Sequence, residues 1–264
     1  MSDFLSRIIE RKKEEIRAAA GRVPEGVLRG EAGESSGRRP FGRKLAEPGP
    51  AGMNVIAEVK RASPSKGRIR EIVDPAEFAR MYEAGGAAAI SVLTDGESFG
   101  GSPEDLKKVR AATLLPVLRK DFIISSYQVY ESAAMGADAL LLIVRALSPE
   151  LLKELLAMCA EIGLDALVET HDEFEFEIAS KAGARIIGIN NRDLATFRTD
   201  ISTSIRVAKQ AAPGQVLVAE SGIHTRSDIE RLLDAGVGNF LIGESLMRSE
   251  DPTGLLRELH GAKA

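Results

Sequence analysis

From residue 54 onward, short apolar runs alternate with longer amphipathic stretches along the chain. The runs have the length and composition of buried strands, and the stretches between them have the apolar spacing of helices. Strands that alternate with helices indicate parallel βα units. We therefore predict eight strands, at residues 54–60, 88–94, 115–120, 138–144, 165–169, 185–190, 216–220 and 239–243.

A repeated local pattern also points to eight units. Four of the predicted helices end in glycine followed by small residues and a strand, and these glycines stand 51, 47 and 53 residues apart. Each interval matches two βα units, so the glycines precede the second, fourth, sixth and eighth strands. Glycine just after a helix tolerates the left-handed backbone that often ends it. The four glycines are Gly85, Gly136, Gly183 and Gly236.

Eight βα units predict an α/β fold, the closed (β/α)8 TIM barrel, which typically needs about 250 residues. An open doubly wound sheet is the alternative, but no GxGxxG motif follows the first strand. We expect residues 53–264 to form the barrel. Residues 1–52 should form an N-terminal helical extension, with an amphipathic helix over residues 1–20 and an irregular arm, containing at most a short turn of helix, over residues 21–52.

Charge and composition exclude several classes of protein. The net charge of −4 disfavours a nucleic-acid partner. No apolar run reaches the length of roughly 18 residues that a membrane span needs, and the first 20 residues are too charged for a signal peptide. The single cysteine, Cys159, excludes an intrachain disulfide and a cysteine metal cluster. We expect a cytoplasmic protein that is a monomer or a weak homo-oligomer.

Several predicted strands carry an ionisable or amide side chain near the carboxyl end. Such a group is costly to bury unless it is paired. Active sites of (β/α)8 barrels lie at the carboxyl ends of the strands, so the pattern predicts an active site there. The residues concerned are Glu58, Lys60, Lys120, Glu169, Asn190 and Glu220.

Glu58 and Lys60 are two residues apart and therefore face the same side of their strand. They could form an ion pair that orients the lysine, or a purely structural one. Lys120 could be a general acid if burial or another cation lowers its pKa, and Phe122 could stack on a planar ring; a solvated lysine and a core phenylalanine are the alternative. Glu169 is a candidate acid/base.

Other residues are candidates for substrate contacts. Arg192 could bind a carboxylate through two hydrogen bonds, although its segment also fits a turn. Loops after the last two strands of barrels commonly bind phosphate, and Gly222 and Gly243 would let the backbone come close to one. His171 is expected to be a loop residue. The charges of ERKKEEIR (residues 10–17) are expected to face solvent.

These residues lie in motifs that, taken in this order, resemble the indole-3-glycerol phosphate synthase family over essentially the whole chain. The motifs are IAEVKRASPSKG, SVLTD, LRKDFI, ALLLIV, LVETH, IGINNRDL, AESGI and FLIGESLM. The resemblance implies a carboxy-lyase of tryptophan biosynthesis. It would close the indole ring of 1-(2-carboxyphenylamino)-1-deoxyribulose 5-phosphate with loss of carbon dioxide and water, without a metal or an organic cofactor.

The resemblance also implies roles for single residues. Lys120 would protonate the substrate carbonyl, Glu169 would act in dehydration, and Lys60 would assist condensation, dehydration or carboxylate binding. Three further groups are implied to orient or bind the substrate. Glu58 and Asn190 would orient the two lysines and Glu169 and bind substrate hydroxyls, and Glu220 would also bind the substrate. Ser63, Phe99, Phe122, Arg192 and Leu194 would hold or enclose the anthranilate ring. Ser221, Gly222, Gly243 and Glu244 would grip the phosphate.

Glu244 departs from the family pattern, in which serine often follows the glycine. A carboxylate repels phosphate, so we expect the side chain of Glu244 to point away and only its backbone N–H to contribute. The alternatives to a synthase are a phosphosugar isomerase, an aldolase that forms a Schiff base through a lysine, and a barrel that binds phosphate without catalysis.

Overall fold

The computed structural model describes residues 3–34, 37–64, 67–71, 74–193 and 196–261. Its centre is a closed barrel of eight parallel strands, as the alternating sequence pattern predicted. All eight lie within one or two residues of the predicted runs. The strands are β1 Asn54–Val59, β2 Ala89–Leu93, β3 Val117–Lys120, β4 Ala139–Ile143, β5 Asp165–Thr170, β6 Ile186–Asn190, β7 Val216–Glu220 and β8 Asn239–Ile242.

The barrel closes between its first and last strands. Ile56 of β1 pairs in register with Leu241 of β8 on one side and with Ala89 of β2 on the other. Each remaining strand pairs with its neighbours in the sequence. All carboxyl ends therefore meet at one face of the barrel. A short hairpin, Ala62–Ser63 with Gly67–Arg68, follows β1 at this face.

Helices surround the barrel, and local signals mark where several begin. Asp74, Ser102, Ser148 and Asp251 each accept a backbone N–H with the side chain, and proline follows each of them in the first turn. The helices are α4 Pro75–Ala84, α5 Gly96–Phe99, α6 Pro103–Ala112, α7 Ser126–Ala134, α8 Pro149–Glu161, α9 Glu173–Lys181, α10 Ser202–Val207, α11 Arg226–Asp234, α12 Glu244–Arg248 and α13 Pro252–Leu259, with 3₁₀ turns at Val144–Ala146 and Ala208–Gln210.

The N-terminal extension is more regular than its sequence predicted. It holds α1 Asp3–Arg22, α2 Glu25–Glu34, α3 Phe41–Ala46 and a 3₁₀ turn at Pro50–Gly52. The prediction of an irregular arm was wrong for α2 and α3. Three glycines weaken the intrinsic helix propensity of α2, but Leu28 and Ala32 pack against Tyr127 and Tyr130 of α7. Packing therefore stabilises a helix that the local sequence does not favour.

Two apolar layers build the barrel. One layer fills the space between the strands and the outer helices. The other fills the barrel interior, and Phe41 and Leu45 of α3 belong to it and close the amino-terminal end. No helix in the described part of the chain is long and apolar enough to cross a membrane.

The glycine repeat is confirmed, with one shift. Gly136, Gly183 and Gly236 adopt φ values of 86°, 92° and 84° just before β4, β6 and β8. Before β2 the positive φ, 91°, belongs to Gly86, whereas Gly85 has a φ of −78°. The first helix end therefore uses the glycine one residue later than predicted.

Candidate active site

The strand ends point polar groups into the barrel because residues two apart on a strand face the same side. On four strands, an apolar residue fills the interior and an ionisable residue follows it two positions later. The pairs are Ile56 and Glu58, Leu118 and Lys120, Leu167 and Glu169, and Val218 and Glu220. Because each ionisable residue is two positions from an interior apolar residue, its side chain also faces the interior, directly above the apolar layer.

Lys120 is the centre of this polar layer. Its Nζ lies 3.1 Å from Oε2 of Glu169 and 3.0 Å from Oε2 of Glu220. Gly188 leaves the space that Glu220 occupies, because a Cβ at this position would clash with the Glu220 carboxylate. Strands β3, β5 and β7 thus bring one ammonium group and two carboxylates together across the barrel.

The three groups shift one another's pKa. Burial acts to lower the pKa of Lys120, but the carboxylates of Glu169 and Glu220 outweigh it and hold the pKa above its ordinary value. The condition named from the sequence, a Lys120 pKa lowered by burial or by another cation, is therefore not met. Lys120 is therefore an ammonium group in the free protein.

The two carboxylates around Lys120 are shifted in opposite directions. Burial alone would raise the pKa of Glu169, but the charges of Lys120 and His171 and a hydrogen bond from Asn190 lower it to about 2. Burial raises the pKa of Glu220 to about 7, with Glu169 adding to this rise and Lys120 opposing it. The pKa of Glu169 is therefore lowered and that of Glu220 raised, although the two carboxyl groups share Lys120. Such divergence is typical of acid/base pairs.

A second ion pair lies on β1. Nζ of Lys60 is 2.6 Å from Oε1 of Glu58, whose side chain is almost fully buried. The side chains thus meet as their two-residue spacing predicted. Whether the pair serves catalysis or structure stays a prediction.

Asn190 and His171 flank Glu169. The Asn190 amide donates to Oε1 of Glu169 at 3.2 Å, and its own oxygen accepts the backbone N–H of Arg192 at 3.0 Å. Nε2 of His171 lies 3.4 Å from the same Oε1. The histidine was expected to be an ordinary loop residue, and its buried position against the site was missed. No local pattern marks it except the spacing of two from Glu169.

The loops after β7 and β8 form one wall of the mouth. Ser221 and Gly222 both have a positive φ, 66° and 74°. A Cβ at Gly222 would lie 2.9 Å from Cβ of Thr199, and a Cβ at Gly243 would clash with the Glu58 side chain. Both positions thus require glycine because side chains of the protein itself lie too close for a Cβ, whether or not a ligand also approaches them.

Glu244 stands at the start of α12 in this wall. Arg248 Nε lies 3.1 Å from Oε1 of Glu244, and Arg192 Nη2 lies 4.0 Å from its Oε2. The carboxylate is thus engaged by two arginines, one of them a candidate substrate contact. The expected use of its backbone N–H alone stays a prediction.

The opposite wall is aromatic. The rings of Phe99 and Phe122 lie 6.2 Å apart, centroid to centroid, with an angle of 38° between their planes. Ser63 and Arg192 line the same cavity, whereas the candidate Leu194 lies outside the described residues.

All the other candidate residues lie around this one cavity at the barrel mouth. They are Glu58, Lys60, Ser63, Phe99, Lys120, Phe122, Glu169, Asn190, Arg192, Glu220, Ser221, Gly222, Gly243 and Glu244. Phe197, His224 and Ser245 also line it and were not singled out from the sequence. Nδ1 of His224 lies 3.1 Å from Oγ of Ser245, so the β7 and β8 loops touch. In the described part of the chain, no three His, Cys, Asp or Glu residues are grouped to hold a metal ion.

The sequence profile of indole-3-glycerol phosphate synthase matches residues 5–259. The chain belongs to this family. Two similar proteins carry the same name: one from Syntrophobacter fumaroxidans, 56% identical over 264 residues and 100% of both chains, and one from Desulfosudis oleivorans, 55% identical over 260 residues, 98% of this chain and 99% of the other. The resemblance stated from the motifs is confirmed.

Solved structures show the same fold at lower identity. A thiamine phosphate pyrophosphorylase from Pyrococcus furiosus superimposes with a TM-score of 0.61 at 18% identity, covering 79% of this chain and 94% of the other. An N-acetylmannosamine-6-phosphate 2-epimerase from Clostridium perfringens gives 0.57 at 16% identity, covering 76% and 89%. These likenesses show the fold alone.

In this family member, α1 reaches the edge of the cavity. Lys12 is buried, and its Nζ lies 2.9 Å from Asp95 and 2.8 Å from Asp121. Asp121 also pairs with Arg119 at 3.2 Å. The prediction that the charges of residues 10–17 all face solvent was therefore wrong for Lys12. Its buried partners lie more than 80 residues away in the sequence.

Proposed function

We propose that the barrel mouth binds 1-(2-carboxyphenylamino)-1-deoxyribulose 5-phosphate and closes its indole ring, with release of carbon dioxide and water. This is the reaction of a carboxy-lyase in tryptophan biosynthesis. Membership of the family over residues 5–259 supports it. The observation that carries the residue roles is the buried contact of Lys120 with both Glu169 and Glu220.

Lys120 acts as the general acid of ring closure. The attacked carbonyl becomes a hydroxyl, so it needs a proton donor as the aromatic carbon attacks. The two carboxylates keep Lys120 protonated in the free enzyme, since they hold its pKa above the ordinary value. This makes Lys120 a weaker acid than an isolated lysine, so its role as proton donor rests on its position and not on a lowered pKa. Substrate thus meets an ammonium group fixed in position by two acceptors.

Glu169 acts as the acid/base of dehydration. Its lowered pKa, about 2, means that it enters the reaction ionised and able to accept a proton. Lys60 is the second ammonium group of the site. Loss of carbon dioxide needs no metal, because the cationic intermediate itself accepts the electron pair.

The remaining residues bind and orient. Glu58 fixes Lys60, Asn190 fixes Glu169, and both can meet substrate hydroxyls, as can Glu220. On the aromatic wall, the anthranilate ring packs against Phe99 and Phe122, with Ser63 and Arg192 around it. The backbone of Ser221, Gly222, Gly243 and Glu244 grips the phosphate.

The partner, the compartment and the oligomeric state belong to the same proposal. The partner is a phosphorylated small molecule, neither nucleic acid nor membrane, and the enzyme works in the cytoplasm as a monomer or a weak homo-oligomer. It uses no metal and no organic cofactor.

Turnover of this substrate, followed by indole fluorescence, tests the proposal for wild type, Lys120→Ala and Lys107→Ala. Lys107 is an exposed lysine of α6 that pairs only locally with Glu104 in the described structure. Loss of a general acid should lower kcat by about 10²–10⁴-fold, whereas Lys107→Ala should match wild type. A wild type that binds the substrate without forming product would overturn the assignment. Trapping of a substrate adduct on Lys120 by borohydride would indicate the Schiff-base aldolase instead.

A further inference from the structure

Lys12 of α1 joins the two loops that carry the aromatic wall. Its Nζ lies 2.9 Å from Oδ2 of Asp95, in the loop after β2, and 2.8 Å from Oδ1 of Asp121, directly after β3. All three side chains are buried. Within the described residues, Lys12 is the one cation that forms ion pairs with both carboxylates; of the two, Arg11 reaches Asp95 and Arg119 reaches Asp121.

Asp95 determines where Phe99 stands. Its side chain caps the four-residue helix α5 by accepting the backbone N–H of Ser98 at 2.8 Å through Oδ1. Phe99 is the last residue of that helix. A helix of one turn has few hydrogen bonds of its own, so its orientation depends on its cap. A displacement of Asp95 would therefore move the ring of Phe99.

Asp121 holds Phe122 in a similar way. Oδ1 of Asp121, the oxygen that meets Lys12, also accepts the backbone N–H of Phe122 at 2.8 Å. One carboxylate oxygen thus binds both the ammonium group and the backbone that carries the ring. Phe99 and Phe122 come from different loops, yet each is linked by its backbone to a carboxylate that Lys12 holds.

The ammonium group separates two buried negative charges. Burial acts to lower the pKa of Lys12, but Asp121 and the further carboxylates around it hold the pKa above its ordinary value, so Lys12 stays charged. Without it the two carboxylates would repel each other in surroundings where water screens charge poorly. The cations that would remain, Arg11 at Asp95 and Arg119 at Asp121, each hold one carboxylate. No cation would then draw the two loops together.

The catalytic ends of the strands are joined without Lys12. The backbone N–H of Thr94 donates to the carbonyl oxygen of Lys120 at 3.1 Å, and the Thr94 hydroxyl donates to Oδ2 of Asp121 at 2.6 Å. The ammonium group of Lys120 is held by two carboxylates across the barrel. Loss of Lys12 should therefore disturb the aromatic rings more than it disturbs Lys120.

We propose that Lys12 is a positioning residue that determines the spacing and the angle between Phe99 and Phe122, and thereby the fit of the planar ring of the substrate. The inference deepens the proposed function and rests on it for the identity of that ring. Lys12 touches no substrate atom and acts through Asp95 and Asp121. A residue of the N-terminal extension thus controls ring binding, whereas the strand ends carry out the chemistry.

Fluorine NMR of the substrate-free protein tests the positioning directly. The chain has nine phenylalanines, so 4-fluorophenylalanine labelling gives few signals, and substitution of single phenylalanines by leucine identifies those of Phe99, Phe122 and Phe240. In Lys12→Met the signals of Phe99 and Phe122 should both shift, whereas that of Phe240, in the layer between strands and helices, should stay. Lys13→Met is the control and should leave all three unchanged. Failure of either wall signal to shift in Lys12→Met would overturn the proposal.

Steady-state kinetics test the effect on the ring of the substrate. In Lys12→Met, KM should rise about 3- to 10-fold, the change expected when aromatic contacts are weakened, and kcat should change much less. Inorganic phosphate competes only for the phosphate wall, so its inhibition constant should equal that of wild type. Lys13→Met should match wild type in all three values. A wild type without turnover would count against the proposed function and leave the fluorine result intact.

A purely structural role would give a different result. A barrel mouth that is loosened as a whole would raise the KM and the inhibition constant of phosphate together, or lower kcat as much as it raises KM. Either outcome would contradict the proposal. Circular dichroism checks that the variant is folded.

Asp95→Asn replaces Lys12→Met if the latter does not fold. Asparagine caps a helix as well as aspartate does, but it lacks the charge that pairs with Lys12. The signal of Phe99 should therefore shift and KM should rise, while Phe122 keeps its signal because Asp121 still holds Lys12. An unmoved Phe99 signal in Asp95→Asn would show that the ion pair does not position this ring.

Discussion

Lys12 of α1 ends 2.8 Å from Asp121, the residue that directly follows Lys120 at the end of β3. The same Nζ lies 2.9 Å from Asp95, in the loop after β2. Asp121 is buried, and although burial acts to raise its pKa, Arg119 and Lys12 lower it to about 2. A helix outside the barrel thus joins the ends of two strands beside the polar layer.

Replacing Lys12 should destabilise the fold. In Lys12→Met, Asp95 and Asp121 remain buried with one cation fewer, and breaking a buried pair from one side typically costs about 3–5 kcal/mol. Arg11 and Arg119 still contact these carboxylates, so we expect the low end of that range in the free energy of unfolding measured with urea.

The neighbouring lysine is the matched control. Lys13 is 47% exposed and pairs with Glu10 on the same helix. Its replacement by Met should change the free energy of unfolding by no more than about 0.5 kcal/mol. Equal stability of the two variants would show that the buried contacts of Lys12 contribute nothing measurable.

Lys12 also shows where sequence reasoning ends. The helix of residues 1–20 could be predicted from its apolar spacing, which is local. Lys12 is buried among the charged residues 10–17 because it contacts Asp95 and Asp121, and these two residues approach it only after the chain has folded. His171 differs, because its partner Glu175 is only four residues away in the sequence. What the local sequence does not show is that the ring is buried against the site.

The barrel and most of its strand-end residues could be predicted because both rest on local rules. Period two places Glu58, Lys120 and Glu169 on the interior side, and the parallel direction of the strands gathers their ends. The shifted pKa values could not be predicted. They depend on which carboxylates meet Lys120 across the barrel, and the sequence contains no distances.

Glu220 should make stability depend on pH. Its folded pKa is about 7, above the ordinary 4.5. Between these values the folded protein keeps a proton that the unfolded chain releases, so this stabilising contribution is complete below about pH 4.5 and is lost as pH rises through 7. The pKa of Glu169 is lowered instead, to about 2, so its contribution is lost only in acid, below about pH 4.5.

The comparison of wild type with Glu220→Gln isolates this contribution. Glutamine has no proton to lose, so wild type should lose stability relative to Glu220→Gln as the pH rises from 5 to 8. Urea unfolding followed by circular dichroism measures it. Glu104→Gln, an exposed control, should run parallel to wild type. A constant difference for Glu220→Gln would show that this carboxyl group is not shifted.

Gly243 should be intolerant of a side chain. A Cβ there would clash with Glu58, whose carboxylate is the partner of Lys60. In Gly243→Ala we expect kcat/KM to fall about 10-fold or more, because overpacking costs about 1–3 kcal/mol and moves both groups.

Gly30→Ala is the control, since nothing lies within 4 Å of a Cβ at that position of α2. It should keep full activity and gain up to about 1 kcal/mol of stability. Unchanged kcat/KM in Gly243→Ala would contradict the packing argument.

Glu244 should weaken the binding of a phosphorylated substrate. Its carboxylate lies at the cavity wall that is proposed to grip the phosphate, although ion pairs with Arg248 and Arg192 compensate part of its charge. In Glu244→Ser, KM should fall about 2- to 5-fold with kcat unchanged, and the gain should shrink at 1 M salt, where the Debye length is about 3 Å. Glu177→Ser makes the same change of charge on the exposed face of α9 and should leave KM as it is. A KM that rises in Glu244→Ser would mean that the carboxylate serves mainly to position Arg192, since repulsion of the phosphate predicts the opposite sign.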